Sequence, residues 1–156
     1  MITNTRYHDF SYGHRVCGHE NKCKNLHGHN GRVTFTCTGE LDSTGRVIDF
    51  SVIKSTLCEW LEENWDHSML LWEHDPMLIY LKILLNAKTD PCAPCLMDLE
   101  NSIVEVPFNP TAENMAYHLL HEVGPEQLKG TGVTLVSVVF EETRKCKATA
   151  NLDTVE

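Results

Sequence analysis

Two histidines, His27 and His29, point to chemistry most directly because of their spacing. They end the run CKNLHGH, residues 23–29, and strand-like sequence follows. Side chains repeat every second residue along a strand, so both imidazoles face the same side. His14 stands thirteen residues before His27 and can join the pair if its own strand runs back beside theirs. Three neutral imidazoles that leave one coordination position open are typical of a catalytic zinc site.

Two further groups could act on a substrate bound beside such a metal. Cys23 stands four residues before His27, which places a thiol near the metal. Asp66 directly precedes His67, and an adjacent carboxylate can orient an imidazole for acid or base catalysis near neutral pH. Two simpler alternatives stay open at this point: surface histidines without a function, or a structural site closed by Cys23 as fourth ligand. A zinc hydrolase is disfavoured because no HExxH occurs.

The composition favours one compact domain over residues 1–156. The chain is 42% hydrophobic and 22% charged, which suffices for a core without disulfides. A formal charge of −9 argues against nonspecific binding to nucleic acid or to anionic membranes. No basic-then-apolar leader and no stretch near the roughly eighteen apolar residues of a membrane span are found. We therefore expect a cytoplasmic protein with neither a nucleic-acid nor a membrane partner.

The seven cysteines are expected to be reduced thiols. Their number is odd, their spacing shows no disulfide framework, and the chain lacks a secretion signal. Cys92 and Cys95 form a CxxC within residues 87–101, a segment that we predict to be a loop insertion. A lone CxxC is a weak indication of a second metal or redox site, because no matching pair occurs elsewhere.

Hydrophobic periodicity predicts an α+β fold with an antiparallel sheet. Along residues 5–14 the alternation turns His14 inward, and along 131–143 it places Glu142 with Val136, Val138 and Phe140, opposite Leu135. The order of strands and helices lacks the strand–helix alternation of a parallel sheet. The predicted strands are 5–14, 29–39, 103–106, 131–143 and 145–152, and the predicted helices are 51–64, 75–86 and one that begins near 109.

Six motifs in order resemble one known superfamily, that of 6-pyruvoyltetrahydropterin synthase and 6-carboxytetrahydropterin synthase, over nearly the whole chain. They are FSYGHR (10–15), CKNLHGH (23–29), VIDF (47–50) with Lys54, DH (66–67), PTAEN (110–114) and ET (142–143). A cysteine four residues before the first histidine of HGH is similar to the bacterial 6-carboxytetrahydropterin synthases. The animal 6-pyruvoyl enzymes carry a longer gap there. One departure is Tyr12-Gly13, where the family usually has two small residues.

The resemblance implies a fold and an assembly. The expected tunnelling fold has a four-stranded antiparallel sheet with helices on one side. Three subunits close a barrel, two trimers stack into a homohexamer, and the active sites lie between subunits. Zn²⁺ would be held by His14, His27 and His29.

The resemblance also implies a reaction. The substrate would be 7,8-dihydroneopterin triphosphate, converted to 6-carboxy-5,6,7,8-tetrahydropterin with release of acetaldehyde and triphosphate, a step toward 7-deazaguanine (queuosine-type) nucleosides. Cys23 would be the base, Asp66 would orient His67, and Glu142 would anchor the pterin through two parallel hydrogen bonds. Thr111 and Glu113 would either hold the ring or only begin a helix.

Three questions remain open. The chain could instead make 6-pyruvoyltetrahydropterin or remove the side chain to give 6-hydroxymethylpterin. It could also be a noncatalytic zinc-binding scaffold oligomer. For the triphosphate, four cations close to the histidines are candidate ligands, but none is singled out: Arg15, Lys22, Lys24 and Arg32.

Overall fold

Six strands form one sheet in the part of the chain that this computed structural model describes, residues 1–86 and 101–153. Their order across the sheet is β4-β3-β1-β2-β5-β6. The strands are β1 (Thr3–His14), β2 (His27–Gly39), β3 (Ser68–Trp72), β4 (Ile103–Val106), β5 (Val133–Thr143) and β6 (Cys146–Asn151).

Three helices accompany the sheet in these residues, and two of them contain a π-helical turn. Helix α1 comprises Phe50–Ile53, the π turn Lys54–Cys58, and Glu59–Asn64; α2 is Pro76–Asn86; α3 comprises Ala112–His118, the π turn Leu119–Val123, and Gly124–Gln127. None of the described helices is long and apolar enough to cross a bilayer. The predicted insertion at 87–101, with Cys92 and Cys95, lies outside the described residues except for Asn101.

The α+β class is confirmed, but the prediction of four antiparallel strands is wrong. β1, β2, β5 and β6 do pair antiparallel, yet β3 adds parallel to β1 and β4 adds parallel to β3. The strand β3 was missed because its five residues, SMLLW, lack alternation, and Leu70 and Leu71 are both buried. Parallel strands are commonly buried on both faces, which removes the period-2 pattern by which a strand is recognised.

A bulge in β5 reverses part of the predicted alternation. Leu135 pairs with Cys37 and Ser137 pairs with Thr36, so Val136 is an extra residue between them. One inserted residue exchanges the two faces of a strand. Leu135 is therefore buried, and its prediction on the opposite face from Phe140 is wrong. Beyond the bulge, Val138 and Phe140 lie inward as predicted.

The core lies between one face of the sheet and helices α1 and α3. It includes Phe10, Val33, Phe35, Val138 and Phe140 from the strands, and Ile53, Leu57, Leu61, Met115, Leu119 and Leu120 from the helices. The other face of β1 and β2 is polar. There the Arg32 guanidinium donates to both carboxylate oxygens of Asp9, at 2.6 and 2.9 Å, and lies 3.9 Å from the Tyr7 ring centroid. Such one-sided burial specifies the register of β1 and β2.

The helix starts are held by side-chain caps. Asp49 caps α1 by accepting from the Ser51 N–H at 2.8 Å, and Thr111 caps α3 by accepting from the Asn114 N–H at 3.2 Å. Asp75, fully buried, accepts from the Met77 N–H at the start of α2. Its second oxygen lies 2.9 Å from Nε of Arg15. This ion pair ties the residue after β1 to α2.

Candidate active site

The pairing of β1 with β2 brings three histidines together. His14 lies opposite His27, and Tyr12 lies opposite His29. The ring centroids are 4.5 Å apart for His14 and His27, 5.1 Å for His14 and His29, and 5.0 Å for His27 and His29. One ring nitrogen of each lies within 4.8 Å of the others, so the three could hold a metal ion.

Backbone carbonyls determine which ring nitrogens are free. Nδ1–H of His14 donates to the Pro110 carbonyl at 2.7 Å, and Nδ1–H of His27 donates to the Asn25 carbonyl at 2.7 Å. A carbonyl only accepts, so each proton is on Nδ1 and each Nε2 lone pair is available. The Nε2 atoms of His14 and His29 are buried without a hydrogen-bond partner among the described residues. These residues fit a zinc ion, which would satisfy both atoms.

Burial keeps two of the histidines, His14 and His29, neutral. It lowers the pKa of His14 to about 4, helped by the neighbouring His27 and His29 and opposed by the hydrogen bond to Pro110. Burial likewise lowers the pKa of His29. Metal ions bind the neutral form of imidazole, so at neutral pH both rings are in the binding form.

A cleft of about 240 Å³ lies beside His14, and most of the other residues predicted to act on or bind the substrate line it. Cys23 enters it from a single 3-10 turn, Lys22–Lys24, whose two lysines are exposed. The predicted residues that line this cleft are His14, Cys23, Thr111, Glu113 and Glu142.

Glu142 occupies a second irregularity of β5. Glu141 pairs with Lys147 and Thr143 pairs with Cys146, which leaves Glu142 without a partner in the ladder. Bulges re-aim side chains, and Oε1 of Glu142 lies 3.7 Å from Nε2 of His14. Burial and then the charge of Glu113 raise the pKa of Glu142. Its carboxylate receives no hydrogen bond from the described residues, so it can accept one from a ligand.

Two other residues of this cleft, Thr111 and Glu113, also have structural roles at the start of α3. The Thr111 hydroxyl caps α3, and Glu113 lies in the first turn of that helix. Both roles agree with the alternative that these residues only begin a helix. Their side chains nevertheless line the cleft.

Asp66 and His67 lie in a different place. The Asp66 carboxylate accepts from the Ser11 N–H at 2.8 Å and from His67 Nδ1 at 2.7 Å. Burial raises the pKa of Asp66, but these two hydrogen bonds outweigh it, and the pKa is lower than usual. The side chain of His67 is 81% exposed. Its backbone φ is 55°, a value that is uncommon for residues other than glycine.

The His67 cleft and the Cys23 cleft are separate. His67, His27 and His29 line a cleft of about 520 Å³. Among the described residues, none lines both clefts. Within one chain, His67 and Cys23 therefore line different clefts.

Several residues of the sites were not singled out from the sequence. His19, Cys146 and Lys147 also line the Cys23 cleft. The short connection between β5 and β6 was the available signal, since it returns the chain beside Glu142. Of the four cations considered for a triphosphate, Arg15 contacts Asp75 and Arg32 contacts Asp9.

Comparison with known proteins decides the family. The family model for 6-pyruvoyl tetrahydropterin synthase matches residues 3–153. The chain belongs to this family. A protein of Rickettsia felis named 6-carboxy-5,6,7,8-tetrahydropterin synthase is 34% identical over 147 residues, which cover 94% of this chain and 97% of the relative.

Solved structures share the fold of this chain. An uncharacterized protein from Wolinella succinogenes superposes with a TM-score of 0.84 at 27% identity, covering 97% of this chain and 98% of the other. The 6-pyruvoyl tetrahydropterin synthase of Caenorhabditis elegans superposes with a TM-score of 0.63 at 23% identity, covering 96% and 94%. The α+β fold of the described residues is thus that of the 6-pyruvoyl tetrahydropterin synthase family.

Acid should destabilise the metal-free protein, because His14 is held neutral in the folded state and protonates more readily when unfolded. With a folded pKa of about 4 and an unfolded value near 6.5, the contribution of His14 is complete above pH 6.5 and is lost as the pH falls toward 4. Between pH 7.5 and pH 5, His14 alone should remove roughly 2 kcal/mol from the free energy of unfolding. Urea unfolding with a chelator present measures this loss.

Two variants separate His14 from the other histidines. His14→Gln should lose part of the pH dependence, whereas His74→Asn, at a side chain that is 70% exposed, should keep all of it. A His14→Gln protein as acid-sensitive as the wild type would contradict the assignment.

Proposed function

We propose that the protein is a zinc-dependent 6-carboxy-5,6,7,8-tetrahydropterin synthase that acts in the cytoplasm as a single-domain subunit. It would convert 7,8-dihydroneopterin triphosphate to 6-carboxytetrahydropterin, acetaldehyde and triphosphate, for 7-deazaguanine nucleosides. One observation carries the proposal: Cys23, His14 and Glu142 line one cleft. The Rickettsia felis relative that bears this name supports the choice within the family.

The histidine cluster suits zinc. His14, His27 and His29 offer three nitrogen ligands and leave a fourth position open, as in catalytic zinc sites. When bound, zinc would supply a Lewis acid that polarises the hydroxyl groups of the substrate side chain. The carbonyls of Pro110 and Asn25 would hold two of the rings in orientation, since each accepts the Nδ1 proton.

Glu142 would hold the pterin ring. A carboxylate can accept two parallel hydrogen bonds, from the 2-amino group and the adjacent ring N–H. Its partial burial makes an unpaired charge costly, so ligand N–H groups bound there gain more than they would in water. Thr111 and Glu113 line the same cleft and would contact the ring beside Glu142.

Proton transfer would fall to Cys23 and to the Asp66–His67 pair. Cys23 would take a proton from the substrate side chain, acting as a thiolate base beside the metal. Asp66 accepts from His67 Nδ1 and would thereby present Nε2 to the substrate. Lys22 and Lys24, exposed on the turn that carries Cys23, suit the triphosphate.

The separation of the two clefts favours an assembly in which subunits share each site. His67 and Cys23 line different clefts of one chain, so the Asp66–His67 pair would complete the Cys23 cleft of a neighbour. Within the described residues, β4 and β6 are the edges of the sheet, each with one side unpaired. Closure of a barrel by three subunits, stacked as a homohexamer, would cover such edges.

Product analysis tests the reaction and the role of Cys23. Wild-type protein with 7,8-dihydroneopterin triphosphate should release acetaldehyde and triphosphate together. Cys23→Ala should lower kcat at least about 100-fold, the usual effect of removing a proton-transfer group, and should keep its zinc. Cys17→Ala is the matched control, because Cys17 is the cysteine nearest to Cys23 in sequence and is likewise half-buried; it should keep wild-type turnover.

Each other outcome favours a named alternative. Triphosphate loss without acetaldehyde would indicate a 6-pyruvoyltetrahydropterin synthase. Full turnover by Cys23→Ala would remove Cys23 from the mechanism. Loss of both zinc and fold in that variant would favour a structural zinc site in a noncatalytic scaffold.

Metal analysis tests the histidine cluster. The wild type should contain one zinc per chain, and His27→Ala should lose it together with activity, because two remaining imidazoles bind zinc weakly. His74→Ala should retain both. Removal of zinc by a chelator should abolish turnover and added zinc should restore it. Full activity at a small fraction of one metal per chain would refute zinc dependence.

Mixing two inactive variants tests the shared site. Cys23→Ala and His67→Ala subunits, dissociated and reassembled together, should recover up to about a quarter of wild-type activity if each site takes one group from each of two subunits. Each variant reassembled alone is the control. Recovery no greater than the sum of the controls would place both groups in one subunit.

A further inference from the structure

Tyr12 carries a buried hydroxyl group that the proposed function has not used. The residue is 3% exposed, and its hydroxyl has no hydrogen-bond partner among the described residues. Burying an unpaired hydroxyl opposes folding. Buried polar groups nearly always have a partner, and an exception calls for an explanation such as a ligand that supplies one.

The ring of Tyr12 lies between the apolar core and the histidine cluster. It stacks on Phe10 at a centroid distance of 5.1 Å and meets Phe140 edge-on at 5.6 Å. On the other side it lies 5.2 Å from the ring of His14 and 5.6 Å from that of His29. The ring is therefore fixed by contacts on both sides, and its hydroxyl is held in one place.

Gly31 makes room for this ring. A Cβ atom at position 31 would lie 2.8 Å from Cε1 of Tyr12, closer than Cβ atoms come to nonbonded heavy atoms, and 3.3 Å from the carbonyl oxygen of Glu141. The next residue, Arg32, pairs with Glu141 across the ladder. The tyrosine ring thus lies over β2 at a glycine, beside the segment of β5 that carries Glu141 and Glu142.

A pterin ring bound at Glu142 would need a hydrogen-bond donor in addition to that carboxylate. Ionised Glu142 only accepts hydrogen bonds, so it can bind the 2-amino group and the adjacent ring N–H but not the 4-oxo oxygen beside them. That oxygen needs a donor. The Tyr12 phenol has one O–H to donate, and among the described residues it is the only buried side-chain hydroxyl without a partner.

We propose that the Tyr12 hydroxyl is a second recognition group for the pterin ring, which donates to the 4-oxo oxygen while Glu142 binds the N–H groups. This inference rests on the proposed function, because it takes the pterin as the ligand of Glu142. It assigns ring recognition to a residue at a position where the family usually has a small one. Tyr12 would be a specificity-determining residue.

The variant Tyr12→Phe tests this role, because it keeps the ring and removes only the hydroxyl. We expect KM for 7,8-dihydroneopterin triphosphate and Kd for pterin to rise about tenfold, with kcat little changed, since a contact present in both ground and transition states is lost. Thermal stability without ligand should be unchanged or higher, because an unpaired buried hydroxyl is gone. A purely structural hydroxyl would leave KM and Kd unchanged.

Tyr7→Phe is the matched control. Tyr7 lies on the same strand but is 56% exposed, on the face that carries Arg32. This variant should keep the wild-type KM, Kd and zinc content. A comparable rise in KM in both variants would show that the effect is not specific to the buried hydroxyl and would overturn the inference.

Two further results would overturn the inference. Tyr12→Phe with unchanged KM and Kd would do so while wild-type acetaldehyde release still supported the proposed function. Loss of zinc from Tyr12→Phe would assign the hydroxyl to the metal site instead. Should the wild type fail to turn over 7,8-dihydroneopterin triphosphate, the proposed function fails, and the Kd for pterin still decides the role of Tyr12.

Discussion

The antiparallel register of β1 and β2 is the constraint on which the site depends. It places His14 opposite His27 and Tyr12 opposite His29, so that side chains of two strands meet on one face. The register is specified by burial, because Phe10, Val33 and Phe35 must face the helices while Asp9 and Arg32 face away. A shift by one residue would move every one of these side chains to the opposite face. The core and the histidine cluster are therefore specified together.

Irregular points in the strands and helices place two groups of the site that the register alone does not place, the Glu142 carboxylate and the His14 ring. The strand β5 is irregular at Val136 and again at Glu142, and the second irregularity frees Glu142 from the ladder beside His14. The carbonyl of Pro110, just before the Thr111 cap of α3, accepts the His14 Nδ1 proton. The orientation of His14 and the cap of a helix thus depend on two adjacent residues, Pro110 and Thr111.

Much of this was predictable from the sequence, because it depends on local periodicity. Alternation in β1 turned His14 inward, and an HxH on a strand placed two rings on one face. The strand β3 and the bulge at Val136 were not predictable. The first has no alternation because Leu70 and Leu71 are both buried, and the second is defined only by pairing with β2. That His67 and Cys23 line different clefts was not predictable either, because the sequence does not tell which cleft a side chain lines.

The contact between Tyr12 and Gly31 constrains how this chain can vary over evolutionary time. A side chain at position 31 would collide with the aromatic ring, so the glycine cannot be replaced while the tyrosine is present. A small residue at position 12 would remove the shortest of the contacts and leave the Glu141 carbonyl oxygen, at 3.3 Å, as the nearest neighbour. Changes at the two positions must therefore follow an order. Tyr12 must be replaced by a small residue before Gly31 can gain a side chain. In the reverse direction, glycine must be present at position 31 before tyrosine can arise at position 12.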